Sequence, residues 1–337
     1  MKKRQITIKD IAKALSISPS TVSRSLTDHP DISKETKELV NAYAKEHHYK
    51  PNALASGLRT SHNKTIGVII PQIVHFFFSS VLSGIEDEAE KGGYRVIISQ
   101  SNESYDREVK GATAMLETRV CGVLASVAKT TTVYDHFQDL IDRNIPVVFF
   151  DRICTGILTD RVVVDDYAGA CSAVDYLIQT GCKRIVFFGS PSHLPISNNR
   201  RMGYEDALRK NKLTVDPELI MICDNFSDAL SLTPKLLSLP NPPDAFFTVN
   251  DETAIGVMTA VKAFGLKIPE DVSVCGFTNS SLTEVCDPLL SSVDQHGYDL
   301  GATAIRLLID RLEGKGDNKK IVNKIIKTNL VVRKSTR

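Results

Sequence analysis

From Thr65 onward one pattern governs the chain: a short apolar run, a segment of helical length, then another short apolar run. The runs are TIGVII, YRVIIS, CGVLAS, PVVFF, RVVVD, RIVFFG, DAFFTV and VSVCGF. Strands short and apolar throughout are buried on both faces, and the helical segments between them are long enough to cross back over a sheet. That combination predicts an α/β fold of parallel sheets with helices on both sides. The pattern occurs twice, over about 65–160 and 161–290, then a long helix near Gly297–Glu313 precedes the strand-like KIIKTNLVV. Two doubly wound lobes place a ligand cleft between them, at the C-terminal ends of their strands. With 337 residues and 42% hydrophobic content, the chain has material for two or three domains with real cores.

The first 64 residues follow a different pattern. In IKDIAKALSISPSTVSRSL, the residues Ile8, Ile11, Ala12 and Leu15 recur at the spacing of one helical face. Thr7 is a candidate cap for that helix, with Asp10 completing a capping box. Ser16-Ile17-Ser18 interrupts it, and a second helix starts with Ser18 as cap and Pro19 at its first position. Val22 and Leu26 give this helix a thin apolar face, while Ser20, Thr21, Ser23 and Arg24 suit a groove better than a core. Ser33 is expected to cap a third helix with Leu39, Val40 and Tyr43 as its stripe; His47 and His48 near its end read as solvated residues. Asn52, Ala53, Leu54, Ala55 and Leu58 outline a helix of about two turns, too short to be stable without a partner. These 64 residues carry twelve Lys/Arg against six Asp/Glu, which leaves −5 for the rest of a chain whose total is +1. A basic head on an acidic body points to a nucleic-acid module followed by something else.

Several function classes find no footing. No G-x-G-x-x-G follows a strand, and no G-x-x-x-x-G-K-[ST], G-x-S-x-G or H-E-x-x-H occurs. Strand-end carboxylates (Asp151, Asp165, Asp166 and Asp251) have no nucleophile or paired His beside them, so each reads as a cap or as cleft lining. The seven cysteines are scattered with no C-x-x-C, which fits reduced thiols in a cytoplasmic protein without metal or cofactor. No apolar run approaches ~20 residues, so neither a signal peptide nor a membrane span is expected.

TIKDIAKALSISPSTVSRSL, YKPNALASGL and TIGVIIP, in that order, closely resemble the lactose-repressor/galactose-repressor (LacI-type) family of bacterial transcription regulators. FFSSVLSGIE, PVVFFDR, VVVDD, SNNRRMGYEDAL, TVNDETAIGVM and IPEDVSVCGFTN extend the resemblance over nearly the whole chain. It implies a helix-turn-helix DNA-binding domain at 1–50, a hinge helix and linker at 51–64, and a two-lobed, periplasmic-binding-protein-like body at 65–337. The implied protein is a homodimer that grips double-stranded operator DNA and responds to a small polar effector, a sugar or sugar derivative, in control of carbohydrate uptake or catabolism genes. A solute-binding protein of the same two-lobed fold, without a DNA role, is the alternative from another class; an enzyme on the same lobes is the third.

The resemblance also assigns roles. Pro19, Ser20 and Arg24 match base-reading positions, and Arg24 suits bidentate donation to guanine. Thr21, Ser23, Ser33, Thr36, Tyr49 and Asn52 match or flank phosphate contacts. Leu58 matches a residue that wedges into the minor groove, with Ala55 one turn behind it. In the cleft, Phe78 matches a stacking aromatic; Asp151, Arg200, Asn250 and Asp251 match polar contacts, with Arg200 as anchor and Arg152 and Asn198 as additions. Thr278 stands where many sugar-binding relatives carry an acid after VCGF, which argues against a simple hexose and leaves room for a phosphorylated or acidic sugar or another polar metabolite.

Overall fold

A computed structural model describes residues 6–49, 64–315 and 320–337. The expected hinge residues Asn52, Ala55 and Leu58 lie outside the described residues. The chain divides into two compact units, Met1–Asn63 and Lys64–Arg337.

Among its described residues the head holds three helices: α1 (Ile8–Ala14), α2 (Pro19–Leu26) and α3 (Lys34–Glu46). Each begins on the cap its sequence announces. Thr7 and Asp10 form the reciprocal capping box. Ser18 accepts from Thr21 N ahead of Pro19, and Ser33 accepts from Thr36 N. Helices this short gain their stability from packing, and here it comes from Ile11, Ala12, Val22, Val40 and Ala44, with Ile8, Leu15, Leu26 and Tyr43 around them. Leu39, expected in the α3 stripe, is 53% exposed, and Ala44 takes the core position.

The body holds two six-stranded sheets. The first has the order β11-β5-β4-β3-β1-β2, from β1 (Thr65–Ile70), β2 (Arg95–Gln100), β3 (Gly122–Ala125), β4 (Val147–Phe150), β5 (Asp160–Val164) and β11 (Asn323–Ile326), all parallel. The second has the order β12-β10-β9-β8-β6-β7, from β6 (Ile185–Gly189), β7 (Ile220–Ile222), β8 (Ala245–Thr248), β9 (Ser273–Thr278), β10 (Ser291–Asp294) and β12 (Asn329–Val331). Only β12 in that sheet runs antiparallel to its neighbour.

The lobes therefore do not divide the chain at residue 160. RVVVD belongs to the first sheet: β5 pairs with β4 on one side and β11 on the other. The chain crosses between lobes three times, after β5, after β10 and between β11 and β12. Helix α4 (Phe76–Lys91) and helix α11 (Gly297–Leu312) pack together on the first sheet, where Val81, Ile85, Leu300, Ile305 and Leu308 share one core with Ile66 and Val68. Gly84 and Gly301 make that crossing close: a Cβ at either would run into a carbonyl of the facing helix, Tyr298 or Val81. The first lobe is completed by α5 (Tyr105–Thr118) and α6 (Asp135–Asp142), and the second by α7 (Asp166–Gln179), α8 (Pro195–Lys210), α9 (Phe226–Leu237) and α10 (Asp251–Ala263). No helix among the described residues is long and apolar enough to cross a membrane.

Candidate functional site

On the head, α2 presents Pro19, Ser20 and Arg24 to solvent, and the Arg24 side chain is 51% exposed. Its one ion-pair partner among the described residues is Asp31 at 3.8 Å, itself exposed, a contact too weak to hold the guanidinium away from another acceptor. The Thr21 hydroxyl is engaged with Ser18 Oγ at 2.8 Å, and the Ser33 hydroxyl with Thr36 Oγ1 at 2.9 Å. Tyr49 is half-buried beside the head's core. Ser23, expected on the open face, is 7% exposed. The reason is geometric: α2 packs on both α1 and α3, so more than the Val22 side of it is covered.

In the body, the loops after the strands of both sheets enclose a cavity of about 290 Å³. The first lobe contributes Phe78 from α4, Asp151 and Arg152 from the end of β4, and Glu103 and Lys129 from the loops after β2 and β3. The second lobe contributes Arg200 from α8, Asp224 after β7, Asn250 at the start of α10, and Thr278 at the end of β9, with Gln295 in the crossover after β10. Phe78 is buried with its ring edge-on to Phe77 at 5.3 Å, and the Arg152 guanidinium sits 5.8 Å from its centroid.

Asp151 is the polar centre of the first-lobe wall. Its backbone has φ +57°, its side chain is buried, and its neighbours are Ser126 Oγ at 3.4 Å and Arg152 Nε at 4.0 Å. Burial pushes its carboxyl up to about 6, with Arg152 pulling in the other direction. Few bonds reach this carboxylate from the protein, so it keeps acceptor capacity for a ligand hydroxyl.

Arg200 is anchored before any ligand reaches it. Its Nε donates to Asp166 Oδ1 at 2.8 Å, a terminal nitrogen lies 2.7 Å from the same oxygen, and the other donates to Val249 O at 2.6 Å. The guanidinium also lies 3.8 Å above the Phe277 ring. Arg152 donates to both carboxylate oxygens of Glu103 at 2.8 Å, and Lys129 Nζ lies 2.7 Å from Asp224 Oδ2. Each of the three cations lining the cavity is thus matched by a carboxylate of this chain, and Asp151 adds a further negative group. An anionic ligand would approach cations that already have carboxylate partners, and would face those carboxylates. These pairs weigh against the phosphorylated or acidic sugar for which the missing acid at position 278 leaves room.

Two expected cleft residues are elsewhere. Asn198 is exposed on α8 and does not line the cavity, because it lies half a helical turn from Arg200. Asp251 is 2% exposed beneath the cleft, where it accepts from Ser280 N at 2.6 Å and Ser292 Oγ at 2.5 Å. Its neighbour Asn250 does line the cavity, caps α10 by accepting from Thr253 N, and donates to the Asp224 carbonyl. Thr278 keeps its place, and its hydroxyl donates to Gln295 Oε1 at 2.9 Å. Among the lining residues that sequence reasoning missed are Glu103, Lys129, Asp224 and Gln295. All four sit just past strand ends, the position that already singled out Asp151.

The residues 7–52 match the pattern described as bacterial regulatory proteins, lacI family, and residues 174–336 match a periplasmic binding protein-like domain. The HTH-type transcriptional repressor CytR of Escherichia coli (strain K12) is 33% identical, over 98% of this chain and 96% of the relative. Catabolite control protein A of Priestia megaterium is 34% identical over 90% of this chain and 91% of the relative. A crystal structure of the lac repressor dimer, bound to operator and the anti-inducer ONPF, shares the fold with a TM-score of 0.87 at 23% identity over 99% of each chain. By the extent of these matches, the chain belongs to the lacI family of bacterial regulatory proteins.

Proposed function

We propose that this protein is an effector-responsive, operator-binding transcription regulator of the cytoplasm, and not an enzyme. The observation that carries the reading is a single chain that joins two separate devices. A capped helix turns Pro19, Ser20 and Arg24 outward in a unit of its own, and a two-lobed body encloses a polar cavity. In this reading the chain acts as a homodimer, so that two heads meet two half-sites of double-stranded operator DNA, as in the operator complex of the lac repressor dimer. Arg24 donates to guanine; Ser20 and Pro19 make shorter contacts beside it; Thr21, Ser33, Thr36 and Tyr49 fix the register on phosphates. Residues 51–64 serve as hinge and linker, with Leu58 as the minor-groove wedge, Ala55 behind it and Asn52 on a phosphate.

The effector is a neutral polyhydroxylated molecule, a sugar or uncharged sugar derivative. Phe78 packs on its apolar face, Asp151 accepts from its hydroxyls, and Arg152, Arg200, Asn250 and Thr278 add polar contacts around it. The paired cations support neutrality, because a ligand without charge leaves all three ion pairs intact. The genes under control are those of uptake or breakdown of such a compound.

Band-shift titration of the full-length protein on the DNA upstream of its own and neighbouring genes tests the reading, with and without neutral and phosphorylated sugars. A preference for one pseudo-palindromic site over shuffled DNA, altered by a neutral sugar, is expected. Binding of sugar with no preference among DNA sequences would instead leave a solute-binding protein.

A further inference from the structure

Among the described residues, contacts run from one lobe of the body directly to the other at three places. Lys129 Nζ lies 2.7 Å from Asp224 Oδ2, an ion pair by proximity without hydrogen-bond alignment, with side chains only 27% and 13% exposed. The His193 ring donates from Nε2 to the Lys129 carbonyl at 2.6 Å. His75 Nε2 lies 3.9 Å from Glu252 Oε2. Lys129 takes part in the first two, once through its side chain and once through its backbone.

Both partners of the ion pair are held by their own lobes. The Lys129 N–H donates to Glu103 Oε2 at 2.7 Å, and Glu103 is gripped in turn by Arg152. On either side of Lys129, the Ala128 N–H and the Thr131 hydroxyl donate to the fully buried Glu108, at 2.6 and 2.8 Å. Across the cleft, Asp224 has its carbonyl bonded to the Asn250 amide at 2.9 Å, and the next residue, Asn225, caps α9. A lysine on a loop of this kind spends little conformational entropy in meeting its carboxylate, because the backbone that carries it is already fixed. Partial burial also screens the pair less than an exposed surface bridge.

We propose that Lys129 and Asp224 are a latch that biases the two lobes toward closure through the chain's own charges. The inference rests on reading the cavity as the effector site, and it concerns how that site is regulated. An effector shifts the lobes only by the difference between its affinities for the open and closed arrangements. A latch that already favours closure reduces how far an effector can move that equilibrium, and so sets the range over which operator affinity responds. It also separates ligand classes: a neutral polyol leaves the bridge in place, whereas an anion competes with Asp224 for Lys129.

Amide hydrogen exchange on the full-length protein without added sugar tests the latch, using Lys129→Met, Asp224→Asn, the double variant and the charge-swapped pair Lys129→Asp/Asp224→Lys. Loss of the bridge should speed exchange in segments 126–131 and 190–194 by about two- to five-fold, the range for a partly exposed ion pair. The double variant should exchange no faster than either single one, and the swapped pair should recover part of the protection. Unchanged exchange in both single variants, or additive effects in the double one, overturns the latch. Should Lys129→Met unfold its lobe, Asp224→Asn, which conserves shape, decides the question alone. Failure of the effector reading would register separately, as an Arg200→Ala protein whose operator binding still responds to sugar while the exchange result stands.

Discussion

Replacing Asp151 by Asn is expected to stabilise the body at neutral pH while weakening the effector site. The Asp151 carboxyl is buried, and that burial raises it from the ordinary 3.8 to about 6. The folded protein therefore holds a proton between about pH 4 and 6 that the unfolded chain has already released. Stability from this group is greatest at acid pH, falls as pH rises through that window, and reaches its full deficit above 6. A difference of about two pH units corresponds to about 3 kcal/mol at ~1.4 kcal/mol per unit. Asn has the same shape without the charge, and Ser126 Oγ, 3.4 Å from the carboxylate, is placed to accept from its amide. Thermal and urea melts of the full-length protein and the variant, without sugar, at pH 7.5, 6.0 and 4.5 measure the effect. The variant should melt several degrees higher at pH 7.5 and lose most of that advantage by pH 4.5. Calorimetry with the responding sugar should show weakened binding at pH 7.5, and a smaller difference at pH 4.5, where the parent's own carboxyl is protonated. A variant no more stable than the parent at pH 7.5, or an advantage that grows as pH falls, would refute the reasoning and mean that Arg152 compensates the buried charge in full.

Other substitutions separate the remaining roles. Arg24→Ala should cost about 1–3 kcal/mol at the operator and flatten preference at one base position in band-shifts across half-site variants. Its only described ion pair is an exposed one at 3.8 Å, so the melting temperature should not move. Arg200→Ala strands Asp166, 2% exposed, without its cation and should destabilise the body by about 3–5 kcal/mol in urea titration. Adding Asp166→Asn should return part of that stability without restoring the response to sugar. Gly84→Ala forces a methyl against the Tyr298 carbonyl where α4 meets α11, and should lower the urea midpoint by the equivalent of about 1–3 kcal/mol.

The fold class was legible in the sequence because the signals that carry it are local. Apolar runs of strand length, capping residues at Thr7, Ser18 and Ser33, and a proline at the first turn of α2 act within a few residues of themselves. The strand-end position of Asp151 and the distribution of charge between head and body were equally open to inspection. Only tertiary structure decided which sheet a strand joins. RVVVD has the same composition in either lobe, and its pairing with β4 and the distant β11 is a non-local choice. Tertiary packing also decided which side of a helix is covered. Ser23 faces inward because α1 and α3 both lie against α2, while Asn198 faces out from the same helix that turns Arg200 in. The charge of the cleft was hidden for the same reason. Arg200 reads as a free fork until Asp166, 34 residues earlier, is found against it, and Lys129 reads as a loop lysine until the second lobe brings Asp224 within 2.7 Å. A side chain's type is written in the sequence, but its partner is set by where the chain returns.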